Sequence, residues 1–113
     1  MSKRHWKLRV EDMLNCAENI QAYLGNMNYE EFAQDQKTID AVVRNLEIIG
    51  EASKNIPDEI KEKHNDIVWH RIEGLRNRII HAYFDVDLKI IWRIVQDEIP
   101  DLRIQMLEIL ESH

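Results

Sequence analysis

Arg76 and His81 are the residues of this chain whose types and spacing could do chemistry. They bracket the run Arg76-Asn77-Arg78-Ile79-Ile80-His81, with Tyr83 two positions on. Arginine keeps its charge at any working pH and holds phosphate oxygens with a planar fork of donors. Histidine titrates near neutrality and can give or take a proton. Together, with no metal-ligand spacing nearby, they point to chemistry on a phosphodiester. In RNA the nucleophile is already present. A base removes the 2'-OH proton, the oxygen attacks phosphorus, an acid protonates the departing 5'-oxygen, and a cation stabilises the phosphorane. The products are a 2',3'-cyclic phosphate, or its hydrolysed form, and a 5'-hydroxyl end. DNA lacks the nucleophile and is not an expected substrate.

The helix that carries the pair does not aim both residues at one point. Each residue turns about 100°, so Asn77 and His81 share a face, Arg78 lies near it, and Arg76 stands about 140° from His81. Three arrangements would reunite them: a wrapped Arg76 side chain, a deformed helix end, or a second protomer. A pair of histidines across a two-fold axis would also separate the base from the acid.

The elements that must position these residues are helical. Trp6, Val10, Met13, Ala17, Ile20, Leu24 and Met27 form one apolar stripe on a first helix ending near residues 25–28. Asn28 and Glu31 have capping-box spacing for a second helix. Its stripe is Phe32, Ile39, Val42, Leu46, Ile49, Ser53 and Ile56, up to Pro57. Residues 58–64 read as a short exposed helix. The next helix spans 69–82 with Ile72, Leu75, Ile79 and Ala82 inward, and Asp87 is placed to cap the last one. Leu88, Ile91, Val95, Ile99, Leu102, Met106 and Ile109 line that final helix, which Pro100 should kink or restart. The expected fold is all-α: one domain over residues 1–113, an antiparallel up-down bundle of four principal helices plus a short extra one. Val43, Ile48, Ile80, Trp92 and Leu110 fall beside the stripes. They point to a second buried surface in a homodimer, with a wide core face as the alternative.

Composition bounds the function. With 113 residues, 44% hydrophobic and 32% charged, the chain suits a helix-rich globular domain. It lacks an apolar run of the roughly 20 residues a membrane span needs, and no signal-like segment opens it. A single cysteine, Cys16, forms no internal disulfide, so a cytoplasmic location and a core position for Cys16 are expected. The net charge of −6 argues against coating nucleic acid nonspecifically, yet residues 67–84 carry +2. His70 and Arg71 fall in this basic island and, with Arg78, are candidate RNA contacts. Glu47 and Glu51 lack the Glu-x-x-His partner of a di-iron bundle, so no metal and no cofactor are expected. Trp69 and Trp92 could stack bases, but buried packing is the preferred reading. Close helix approach is the expected reason for the helical glycines Gly50 and Gly74.

Arg76-x-x-x-x-His81-x-Tyr83, the segment from Trp69 to Asp87, and the block Arg44-Asn45-Leu46-Glu47-Ile48-Ile49-Gly50-Glu51-Ala52 together resemble the HepT toxins of the HEPN superfamily. The likeness covers essentially the whole chain. It implies a dimeric all-α bundle and a metal-independent endoribonuclease whose cleft lies between protomers. Arg76 and His81 match the catalytic pair and Asn77 a supporting position. The resemblance further implies a type VII toxin–antitoxin system, with an MntA-like nucleotidyltransferase antitoxin as partner. That partner silences the toxin by adenylylating the motif tyrosine, here Tyr83; tRNA is the family-level substrate. The alternative is a non-catalytic HEPN module that binds a nucleotide or docks a nucleotidyltransferase.

Overall fold

The computed structural model describes residues 5–84 and 87–113, and for Tyr83 and Phe84 the helical backbone alone. Eight α-helices follow in order: α1 (Trp6–Leu24), α2 (Tyr29–Gln34), α3 (Gln36–Lys54), α4 (Asp58–Lys63), α5 (Trp69–Glu73), α6 (Leu75–Phe84), α7 (Leu88–Arg93) and α8 (Ile99–Ser112). No strand occurs among the described residues. The four principal segments are α1, α2–α3, α5–α6 and α7–α8, which form the expected bundle.

α1 is its centre, packed along both α3 and α8. Cross-links tie it to both, and the two toward α8 show that pair to be antiparallel. Asn19 donates to the Asn45 side chain at 3.4 Å, Arg103 pairs with Glu18 at 3.4 Å, and Trp6 meets His113 edge-on at the other end. Val10, Met13, Ala17, Ile20 and Leu24 are buried as their spacing predicts, and Cys16 joins them. Burial, with a smaller push from Asp12, raises the pKa of the Cys16 thiol and keeps it protonated. The helix stops at Gly25, whose φ of 50° lies in the left-handed region that favours glycine and whose N–H closes on the Gln21 carbonyl.

Three expected helices are interrupted. The second breaks at Asp35, whose carboxylate accepts the Thr38 N–H at 3.2 Å and starts α3 afresh. That bond lowers the Asp35 pKa, so the cap holds above the ordinary aspartate range and weakens as pH falls through the lowered value. Before the break, Asn28 and Glu31 form the predicted reciprocal box at 2.9 and 3.1 Å. The third breaks at Gly74. The last one widens: Ile94–Glu98 form a π turn, closed by the Ile99 N–H on the Ile94 carbonyl. Pro100 has no N–H and its ring crowds the carbonyl four residues back, so a wide turn upstream accommodates it without ending the helix. Asp87 caps α7 as expected, accepting the Lys89 N–H at 3.1 Å.

α4 is less exposed than its polar sequence implies. Ile60 is buried, Lys61 lies over the Trp69 ring and pairs with Glu73 at 3.3 Å, and Trp69 donates to the His64 carbonyl. Trp69 is buried in that packing, and Trp92 packs partly buried against Phe32 and Tyr29.

Gly50 sets how closely α3 meets the α5–α6 joint. A Cβ there would lie 3.5 Å from the Ile72 carbonyl oxygen, 3.6 Å from Leu75 Cβ and 3.8 Å from the Arg76 nitrogen. One methyl therefore fits and a longer side chain does not. Gly74 differs from expectation: a Cβ there would face the His70 carbonyl at 3.3 Å, its own local backbone rather than a second helix. Gly50→Ala is expected to keep stability within about 1 kcal/mol of the parent, leaning to a gain because helical glycine is intrinsically costly. Gly50→Leu should lose about 1–3 kcal/mol by overpacking. Urea unfolding compares the two, and equal stability would refute the close approach.

Candidate active site

The signature residues stand on α6, which is held by one face. Leu75, Ile79 and Ala82 are buried against the core, with α3 on one side and α7 on the other. The opposite side carries Arg76, Ile80, Asn77 and His81, and all four are exposed. At about 100° per residue they follow one another around the helix over an arc of about 140°. Arg76 and His81 are thus the two edges of a single solvent-facing surface, with Asn77 and Ile80 between them. The wide angle that seemed to separate them is the breadth of that surface.

Arg78 leaves it. Its guanidinium turns to Glu98 at the end of the π turn, donating to both carboxylate oxygens at 2.9 and 2.5 Å. Arg71 of α5 reaches the same carboxylate at 3.3 Å. Such two-pronged charged contacts are stronger than neutral hydrogen bonds and fix direction as well. The bond to Glu98 raises the Arg78 pKa, with partial burial working against it. Of the cations proposed from sequence as RNA contacts, Arg71 and Arg78 are therefore committed to a carboxylate, and His70 is exposed on α5. Arg76 has no acidic partner among the described residues.

Glu98 was invisible as a site residue because it lies 20 and 27 residues from its partners. The only local signal was an acidic pair, Asp97-Glu98, just before Pro100. The basic island read from residues 67–84 is consequently balanced in space. A groove of about 510 Å³ between α5–α6 and α7–α8 sets Arg71, Arg78 and Arg93 against Asp66, Asp97, Glu98 and Asp101.

Of the apolar residues left beside the stripes, Val43 is buried, and Trp92 and Leu110 pack partly buried against the core. Ile48 and Ile80 remain open, each 37% exposed. Tyr83 lies on the last turn of α6, its side chain outside the described set. Among the described residues no three of His, Cys, Asp and Glu converge to hold a metal ion, and no helix is long and apolar enough to cross a membrane.

Comparison with known proteins shows the family. The family model described as "Ribonuclease HepT-like" matches residues 13–109. A Thermococcus cleftensis protein named "Probable ribonuclease HepT" is 44% identical over 89% of this chain and 92% of its own length. "Putative RNase TTE0752" of Caldanaerobacter subterraneus is 42% identical over 91% and 92%. "Putative RNase MJ1216" of Methanocaldococcus jannaschii is 39% identical over 99% and 93%. No solved structure matches significantly. A family match across this span, on a helical bundle that exposes Arg76 and His81 together, places the chain in the HepT-like ribonuclease family.

Proposed function

We propose that the chain is a metal-independent endoribonuclease, the toxin of a type VII toxin–antitoxin pair, acting on RNA of the tRNA class. The observation that carries this reading is the division of labour among the arginines. Arg71 and Arg78 share Glu98, whereas Arg76 is exposed on one surface with Asn77 and His81. A phosphodiester laid over that surface meets an uncommitted guanidinium at one edge and an imidazole at the other. His81 accepts the 2'-OH proton, O2' bonds to phosphorus, and Arg76 holds the charge gathering on the equatorial oxygens. Asn77 orients a non-bridging oxygen. The P–O5' bond breaks and O5' takes its proton from His81 of a second copy, leaving a cyclic phosphate and a 5'-hydroxyl. His70 extends the path for RNA on α5.

The second copy is proposed on two grounds. Ile80 sits apolar and open in the middle of the polar surface, and Ile48 is likewise open on α3. A two-fold contact covers such residues with their own copies. An MntA-like nucleotidyltransferase partner would silence the site by adenylylating Tyr83. A phosphate fixed two residues from His81 competes with RNA for Arg76 and repels the backbone.

Purified protein in EDTA should cleave RNA, and His81→Ala or Arg76→Ala should each lower the rate by about 10²-fold or more. Both side chains are exposed, so the helical signal and melting curve should not change. Full activity in either variant would remove that residue from the mechanism, and an inactive parent would favour a binding or docking module. Ile80→Glu should shift the sedimenting species toward monomer and lose cleavage with it; an active monomer would refute the shared site. Intact mass after co-expression with a nucleotidyltransferase partner should show added AMP that Tyr83→Phe abolishes. If the adduct persists in Tyr83→Phe, the target lies elsewhere.

A further inference from the structure

We infer that Glu98 is a positioning residue that withholds Arg71 and Arg78 from RNA, so that the phosphate register is set by Arg76 alone. Arg78 follows Arg76 by two residues, yet on the helix it lies about 60° from His81, on the side away from Arg76. Released, its guanidinium would stand beside the histidine and offer phosphate a second seat. A phosphodiester drawn there would be gripped on the wrong side of the base. Arg71, more than half exposed, would extend the same false seat along α5.

Glu98 prevents this in two ways. It engages both terminal nitrogens of Arg78 and one of Arg71, which turns the Arg78 guanidinium toward the carboxylate and offsets its charge there. It also ties α6 to the α7–α8 segment on the flank opposite Gly50, so the motif helix is fixed against rotation from both sides. The carboxylate reaches this point because the π turn and Pro100 set the last helix there. Asp66, Asp97 and Asp101 line the same groove and outnumber Arg93, the remaining cation there, which adds to the exclusion of a polyanion from it.

The effect on turnover rests on the ribonuclease reading; the effect on binding does not, and the two are measured apart. Binding of a 12-nucleotide single-stranded RNA is followed against salt in a His81→Ala background, and kcat and KM are measured in the active chain. Glu98→Gln keeps the shape and removes the charge. It should tighten binding and steepen the slope of log K against log salt by about 1.4, two phosphates at about 0.7 each. In the active chain KM should fall while kcat drops about tenfold or more, as misregistered RNA accumulates. Glu98→Asp should restore most of the parent's behaviour. A purely structural Glu98 would lower melting temperature and activity together without changing the salt slope, and that result overturns the inference. Arg78→Gln in the otherwise native chain tests it independently of how Glu98 variants fold. Its salt slope should equal the parent's, because Arg78 is already withheld; a slope shallower by about 0.7 would show Arg78 on phosphate and overturn it too. If the parent cleaves no RNA, the ribonuclease reading fails and the slopes still decide the role of Glu98.

Discussion

The contact of α3 with the α5–α6 joint governs the presentation of the site. Leu75, Ile79 and Ala82 drive one side of α6 into the core, and the missing side chain at Gly50 lets the joint settle close to α3. Burial is insensitive to small rotations of a helix, because dispersion and the hydrophobic effect have no strong direction. Close backbone approach is sensitive to them. The two together define which half of α6 faces water, and the exposure of Arg76, Asn77 and His81 follows from that choice.

Charge then distinguishes residues that the helix treats alike. Arg76 and Arg78 are two apart in one segment, with the same side chain and similar sequence surroundings. Arg78 meets a carboxylate and Arg76 meets none among the described residues, and the difference lies in a helix that arrives from 20 residues later. The local excess of positive charge in residues 67–84 is therefore a property of the sequence more than of the surface. What the α6 surface offers is the Arg76 guanidinium, without an acidic partner among the described residues, at a defined place beside Asn77 and His81, which suits recognition of a single phosphate better than attraction of a whole strand.

The periodic parts of the fold were legible. Val10, Met13, Ala17, Ile20 and Leu24 of the first stripe are buried, Trp6 and Met27 at its ends are only partly so, the apolar stripe of the long α3 helix is buried, the capping box at Asn28 and the cap at Asp87 form, and Ser53 lies inside as its phase requires. The interruptions were not. Phe32 and Ile39 are seven residues apart, a spacing that keeps one face whether or not the helix runs through, so the apolar pattern could not report the break at Asp35. Ile60 was lost among charged neighbours because a single buried residue makes no period. Arg76 and His81 were legible by type and spacing, the roles of Asn77 and Tyr83 through family resemblance, and the exposure of the Arg76–His81 surface through the buried complement, Leu75, Ile79 and Ala82. The Glu98 link belongs to long-range pairing, to which period and propensity are blind. The proposed dimer and the proposed modification of Tyr83 are matters of partners, which a single chain's helices do not contain.

The π turn has a consequence for how this chain can change. It carries one residue more per turn than an α-helix, and two surfaces depend on where that residue falls. Before it, Ile91 packs in the core near α6; beyond it, Leu102, Met106 and Ile109 pack in the core where α8 lies along α1. Removing one residue from the stretch would turn one surface against the other by about 100° and slide them by about 1.5 Å. No compensating side chain repairs an error of that kind. The length of chain between Ile94 and Pro100 is thus fixed by two packed surfaces at once, a constraint on residue number rather than on residue type.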